Sequence, residues 1–437
     1  MRGFKLGGQV FNTVHVGLAF FTIFSADFTI TNLQKLINVS IHEDNPDYNV
    51  DGYVSLGLIY TFYAIFLLAA PSIISFTGPR VAMTIGFTMM TIFMALFRFE
   101  NTWLTYLGIF MTGTGGSLMW VGQGNYVVLN SEPETASTHF SLFWAVFTLS
   151  MMSGNFYTVF AFNGKTRIDY ETRHQLLYVC SGIGVAAIII VALLRPPQGK
   201  VQLQAVRESP SHALKRTFSL LISKDIAILV ATFAFTGFQQ SFGWGVYGSA
   251  IGFTNRFGTI ATQLVPIVAI VYGAGDSAGS AIHIFAPKFG YHWTRSYVYW
   301  VGYAIHVLAL IGIYVNIPDQ AVFGYTNDVS VFETPKIWLA VLCSLVLGVS
   351  DGFYNTQLYT LLANLSPEHS AQTMALFKFI KSMSVAAFFF ASTALSLHYQ
   401  CILIGTCGFL GSVCFSIIDR NVYRKTSVKD KQLEVLA

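Results

Sequence analysis

Apolar residues in this chain gather into runs of about twenty, broken by short polar clusters, with neither the strict alternation of half-buried strands nor the single stripe of helices in water. With turns placed at Pro, Gly and charge clusters, hydropathy predicts about twelve membrane-spanning helices. They cover residues 10–31, 53–76, 81–97, 103–129, 139–162, 176–194, 226–247, 262–285, 296–315, 337–362, 372–395 and 401–418. Composition agrees: 54% of the residues are hydrophobic and 11% charged, where soluble domains carry about 25% charge. Lipid is therefore the solvent for most of the chain.

The fourth run is unusual. Gly113, Gly115, Gly116, Gly122 and Gly124 recur along it, and an amide pair, Gln123 and Asn125, stands where a lipid-facing helix would carry leucine. Such a helix packs against other helices. About 234 positions later, Gln357, Asn364, Pro367-Glu368 and Leu376-Phe377 echo Gln123, Asn130, Pro133-Glu134 and Leu142-Phe143. The tight loops Gly78-Pro79-Arg80 and Ala286-Pro287-Lys288 echo each other as well. The expectation is an all-α integral membrane protein of twelve transmembrane helices in two six-helix pseudo-repeats. The bundles cover 1–195 and 225–418, with a basic cytosolic linker at 196–224 and a cytosolic tail at 419–437. This is the layout of the major facilitator fold.

Charge placement sets the orientation. With both termini inside, the inside segments carry about sixteen Lys and Arg and the outside ones about seven, as the positive-inside rule requires. The sequon Asn38-Val39-Ser40 then falls in an outside polar loop, so a glycan is expected on Asn38; the second sequon, Asn364-Leu365-Ser366, lies inside and is expected bare. In the linker, Leu214, Phe218, Leu221 and Ile222 share a helical face bordered by Lys215, Arg216 and Lys224. That is either a short helix on anionic lipid or a solvated joint. The five cysteines all sit in apolar runs with no paired spacing, so neither a disulfide framework nor a zinc site is indicated.

Ionisable residues inside the predicted spans are Asp27, Asp276, Asp351, Lys378, Lys381, His15, His283 and His306. A charge at the bilayer centre costs about 2.5–3.5 kcal/mol on insertion scales, so each is expected to face protein or water. Asp276, Asp351 and Lys381 lie roughly 14–17 Å from the cytosolic ends of their spans, near the midplane. An ion pair between Asp351 and Lys381 or Lys378 is expected, with Asp276 as a third member, and neutralising one partner should do more harm than neutralising both. The pair serves either transport and proton coupling or helix register alone. Asp276, Asp351, Lys378, Lys381, His15, Gln123 and Asn125 are the candidates for solute or ion binding.

No enzyme motif survives inspection. Asn163-Gly164-Lys165-Thr166 ends like a phosphate loop but has Val159 where glycine is needed. Gly275-Asp276-Ser277-Ala278-Gly279 fits a nucleophile elbow but has no strand before it. Glu43, Asp44, Asp47 and Asp51 form an acidic outer loop that binds cations weakly or is simply solvated. No cofactor, metal set or nucleic-acid partner is expected.

Trp120, Gly122-Gln123-Gly124-Asn125, Asn130-Ser131, Phe143-Trp144-Ala145, Gly154-Asn155 and Gly164-Lys165-Thr166 together resemble the diagnostic run of the Unc-93-like family of the major facilitator superfamily. The resemblance implies a twelve-helix membrane protein with cytosolic termini. It leaves two activities open. One is carriage of a small solute or ion by alternating access; the other is a non-transporting role as accessory subunit of an ion channel or receptor. The loop at Gly78-Pro79-Arg80 lacks the Asp-Arg signature of sugar and drug facilitators, which weakens any carry-over of their gating.

Overall fold

A computed structural model describes residues 7–132, 135–165, 167–198, 219, 223–285, 293–365 and 370–436. The linker face at Leu214, Phe218, Leu221 and Ile222, the loop Ala286-Pro287-Lys288, the pairs Pro133-Glu134 and Pro367-Glu368, and Thr166 and Ser366 of their motifs lie outside the described residues, as does the His283 side chain.

Helix α1, Gly8–Asp44, opens the chain, followed by α2, Gly52–Thr77, and α3, Pro79–Phe97. Next come α4, Thr102–Leu129, the short pair α5, Ala136–Phe147, and α6, Ser150–Ala161, and α7, Tyr170–Ala192. After the linker, α8, Lys224–Ser241, passes through a π-helical turn, Phe242–Val246, into α9, Tyr247–Phe253. The chain ends with α10, Ala261–Phe285, α11, Arg295–Asn316, α12, Ile337–Leu365, α13, Ser370–Ala391, and α14, Leu397–Leu436.

Among the described residues, nine helical segments are long and apolar enough to cross a membrane, ten if bent α2 counts as one span. Its halves, Gly52–Leu67 and Ala70–Thr77, meet at 60°, because Pro71 has no N–H and its ring crowds the carbonyl of Leu67. Two expected spans are not among the ten. Gly, Thr, Ser and amide residues dilute the apolar content of α4, and the fifth expected span is broken at Thr148 and Leu149 into α5 and α6, each 12 residues long.

The first helix departs from its expected end at Thr31. It continues to Asp44 because Leu33, Leu36, Ile37 and Ile41 recur at helical spacing and are all buried. At 37 residues it is about 55 Å long, well beyond a ~30 Å hydrocarbon core. The supposed outer loop is therefore largely helix, and this corrects the reading of Asn38. Its side chain is 1% exposed, its Oδ1 accepts from Tyr48 OH at 3.3 Å, and its Nδ2 is sealed against protein. A glycan on Nδ2 does not fit this packing. Glycosidase treatment is thus expected to leave the gel mobility unchanged, and Asn38→Gln should migrate like the parent; a shift in either would return Asn38 to a loop.

Without a hydrophobic drive between helices in lipid, close backbone approach does the packing. Small residues make it possible. A Cβ on Gly115 of α4 would stand 2.8 Å from the Gly86 carbonyl oxygen of α3. A Cβ on Gly348 of α12 would collide with the Tyr272 carbonyl oxygen of α10. Since a backbone atom cannot step aside, Gly348→Ala is expected to part α10 from α12 and to cost about 1–3 kcal/mol. Thermal unfolding in detergent should move by that amount. No shift would mean that the two helices separate freely.

The first seven helices meet the last seven chiefly where α2 packs on α13, α6 on α10, and α1 on the π-helical turn, α9 and α10. Tyr53 stacks on Phe389 at 6.5 Å, a Cβ on Gly252 would meet the Leu36 side chain at 2.5 Å, and Gln263 Nε2 donates to the Val159 carbonyl at 2.9 Å.

Candidate functional site

Asp351 of α12 is buried among neutral donors. Gln239 Nε2 of α8 and Asn355 Nδ2, one turn along α12, each donate to Oδ1 at 2.5 Å, and Tyr272 OH of α10 donates to Oδ2 at 2.9 Å. A carboxylate surrounded this way needs no cation at contact distance. The direct ion pair expected with Lys381 is accordingly absent among the described residues. Instead Lys381 Nζ donates to Asn355 Oδ1 at 3.4 Å, so Asn355 stands between acid and base. Asp276 of α10 is half-buried and within electrostatic reach of both Asp351 and Lys381. The three residues share one neighbourhood, but as a relay.

Lys378 points elsewhere. Its Nζ lies 5.8 Å from the centroid of Trp120 of α4, across the seam between the two sets of helices. Trp120 in turn packs with Phe20 and Phe24 of α1, Phe143 and Phe147 of α5, and stacks on Trp144. Gln123 and Asn125 lie in the C-terminal half of α4. Gln123 Nε2 and Asn125 Oδ1 are buried without a hydrogen-bond partner among the described residues. His15 is not part of the centre, for its Nε2 bonds the Ile190 carbonyl at 3.0 Å and ties α1 to α7. His306 is likewise committed, to Ser350 Oγ at 2.9 Å.

Two residues that the sequence reading passed over complete the site. Gln239 and Gln240 are adjacent near the end of α8, and Gln240 Nε2 donates to Tyr60 OH of α2 at 3.2 Å while Gln239 holds Asp351. Asp27 of α1 is within electrostatic reach of Tyr60. A polar thread thus crosses the seam from α1 and α2 through α8 to α12. The π-helical turn follows directly, and a Cβ on Gly243 within it would meet the Tyr272 ring at 2.5 Å. Turns of this kind concentrate at functional sites. An amide pair in an apolar run was the available signal, the same rarity that marks Gln123 and Asn125.

A second cluster sits where α1 ends and α7 begins. Arg173 is fully buried, yet its Nη1 reaches Asp44 Oδ2 at 2.5 Å, and its Nε and Nη2 grip Glu100 at 2.6 and 3.1 Å. Glu100 itself has φ 49°, uncommon for a residue with a side chain. Much of the acidic segment is therefore paired within the protein, although Glu43, Asp44 and Asp47 stay exposed to solvent. Asp44 and Glu43 pair with Arg167 as well, and Asp51 caps α2 and pairs with Lys35. Hydrogen bonding and charge from Arg173, against some burial, hold the Asp44 carboxyl below the usual range. At Asp169, burial pushes upward, but hydrogen bonds from Lys165 and Thr172 prevail and hold it at about 2. No group of three metal-ligating side chains is found among the described residues.

At the opposite end, Asn12 Nδ2 of α1 donates to Asn130 Oδ1 at 2.8 Å and to the Pro196 carbonyl at 3.1 Å. Tyr126 OH donates to the Arg195 carbonyl at 2.7 Å, and Arg80 Nη1 to that of Leu194 at 3.0 Å. The start of the linker is thus pinned to α1, α3 and α4.

Comparison with known proteins fits this architecture. The solved nucleoside transporter NupG superimposes with a TM-score of 0.65 at 13% identity, over 93% of this chain and 98% of that one. A bacterial homologue of the human lysosomal transporter Spinster, in an inward-facing and unoccupied conformation, gives 0.63 at 12% identity over 97% and 99%. Both likenesses are of fold alone. In sequence, the UNC93-like protein MFSD11 of Xenopus laevis is 30% identical over 94% of this chain and 96% of its own length. UNC93-like protein 3 of Arabidopsis thaliana is 24% identical over 92% and 85%. The family model described as ion channel regulatory protein UNC-93 matches residues 46–416. With that span matched and that relative aligned almost end to end, the chain belongs to the UNC-93 family, on a major facilitator fold.

Proposed function

We propose that this protein is a twelve-helix carrier that moves a small solute across the membrane by alternating access, with both termini cytosolic. In this reading α4 and the α5–α6 pair are the spans beyond those that hydropathy alone selects. Their polar and glycine content fits helices sheltered by neighbours, as the tight packing of Gly115 on α3 suggests. The bundles 1–195 and 225–418 rock against each other, joined by the basic linker 196–224 and followed by the tail 419–437. The matched burial of Gln123 and Gln357, and of Phe143 and Phe377, supports two related halves.

The observation that carries the proposal is the polar thread through the seam. Asp351 is bound to Gln239, and Gln240 beside it is bound to Tyr60, so a change at the carboxylate reaches the helix contacts that must break when the halves move. Partly buried Asp276, Asn355, Lys378 and Lys381 surround it with groups able to meet a solute. The competing reading, an accessory subunit of an ion channel or receptor, takes its support from the family's description as a channel regulator.

Untargeted solute flux into proteoliposomes, compared between the parent and Asp351→Asn, decides between them. A carrier accumulates at least one solute class and loses it in the variant. A well-folded parent silent across a broad solute panel would shift the assignment to the accessory role.

A further inference from the structure

We infer that the centre takes an aromatic organic anion, its negative group between Lys378 and Lys381 and its ring against Trp120 and Trp144; the inference rests on the carrier reading above. Lys378 and Lys381 are one turn apart on α13, so they share a face, and both are only partly buried within an apolar helix. Among the described residues neither has a carboxylate at ion-pair distance. Lys381 has the 3.4 Å bond to Asn355 and the Phe377 ring at 5.8 Å; Lys378 has the Trp120 ring. Two neighbouring ammonium groups held in low dielectric repel each other and lack hydration, so an anion placed between them relieves both costs.

The nearby acids do not supply that anion. Asp351 gives both oxygens to Gln239, Asn355 and Tyr272. Asp276 offers a single carboxylate within electrostatic reach of Lys381, against two lysines. A cationic solute would have Asp276 to pair with but two ammonium groups to oppose it. An anion meets complementary charge at once.

The apolar half of the ligand follows from the rings. Trp120 and Trp144 stack at 5.7 Å with 22° between planes, and Trp144 is 38% exposed, so the pair presents a free aromatic edge. One turn along α4, Gly124 has nothing within 4 Å of where a Cβ would stand. That leaves room beside Trp120 for a flat group whose charge reaches Lys378.

The test uses full-length protein in lipid nanodiscs and matched one- and two-ring compounds, each as carboxylate, primary amide and amine, with binding read by thermal shift and tryptophan quenching. Carboxylates are expected to bind and the matched amines not to. Lys378→Gln and Lys381→Gln should each weaken carboxylate binding at least tenfold, Lys378→Arg should restore most of it, and Trp144→Leu should weaken two-ring compounds more than one-ring ones. Ligand-free melting curves certify that each variant is folded. Amines or amides binding as tightly as carboxylates, unchanged affinity in the folded Lys→Gln variants, or no carboxylate binding at millimolar concentration would each overturn the inference. Failure here is separable from failure of the carrier reading. Flux of some solute that carboxylates do not compete with removes only the anion assignment, whereas carboxylate binding without flux of any solute removes only carriage.

Discussion

Arg173→Ala is expected to cost about 3 kcal/mol or more of stability and to be the most damaging single truncation outside the centre. Removing one partner of a buried charge cluster typically costs about 3–5 kcal/mol, because the remaining charges are left uncompensated. Arg173 is fully buried and grips Glu100 with two nitrogens and Asp44 with a third, while its Nη1 also reaches Ser40. Asp44 keeps 29% of its side chain in solvent, which tempers the loss toward the lower end. Three elements come free together: the end of α1, the α3–α4 turn where Glu100 holds its positive φ, and the start of α7. Thermal midpoint and the monodisperse fraction by size-exclusion chromatography read the effect. Arg167→Ala is the matched control, for its side chain is 49% exposed and its loss should stay within about 0.5 kcal/mol. Equal, small effects from the two would show that the cluster is ornamental to folding. The sign of its pH response also follows. Asp44 and Asp169 have depressed folded pKa values, so their stabilisation is complete above the ordinary carboxylate range, near pH 4, and fades only as pH falls through the lower folded values, about 2 for Asp169. Through these two carboxylates, no change in stability is expected between pH 5 and 8.

The residues that were legible in the sequence are those whose presence in lipid is anomalous. Asp276, Asp351 and Lys381 stood out because an ionisable group in an apolar run has few physical excuses, and depth counting put them at one level; they do share a neighbourhood. Helix class followed from run length in the same way. What escaped was anything decided by partners far away in the chain. Asn38 looks exposed by its polarity, and only the burial of Leu36, Ile37 and Ile41 around it shows that α1 carries on. Arg173 lies just outside a span and reads as a surface charge until Glu100, 73 residues earlier, is found against it. Gln239 and Gln240 are uncharged, so a charge search steps over them, although amides do the work of holding Asp351 and of joining the two sets of helices. Both lie on the seventh expected span, which carries no charged residue to draw attention to it.

Asp351→Asn is expected to reduce solute flux at least tenfold, and adding Lys381→Gln is expected not to restore it. A direct ion pair would behave otherwise, since removing both charges relieves the cost of leaving one unpaired. Here three neutral donors converge on the carboxylate, and Asn355 separates it from the lysine. An amide at position 351 keeps one oxygen for Gln239 and Asn355 but turns an N–H group toward Tyr272, whose hydroxyl must reverse from donor to acceptor, and the charge that strengthened all three bonds is gone. Hydrogen bonds to a charged group are worth about 1.5–3 kcal/mol, a loss independent of the residue at position 381. Lys381→Gln alone should spare the Asp351 shell and act on solute affinity. The double-mutant coupling energy, from flux and from thermal stability, is therefore expected below about 1 kcal/mol. Recovery of flux in the double variant would mean that lysine and carboxylate touch in a working state of the cycle. In that event Asn355 is a gate that swings aside as the halves rock, and the relay belongs to one conformation only.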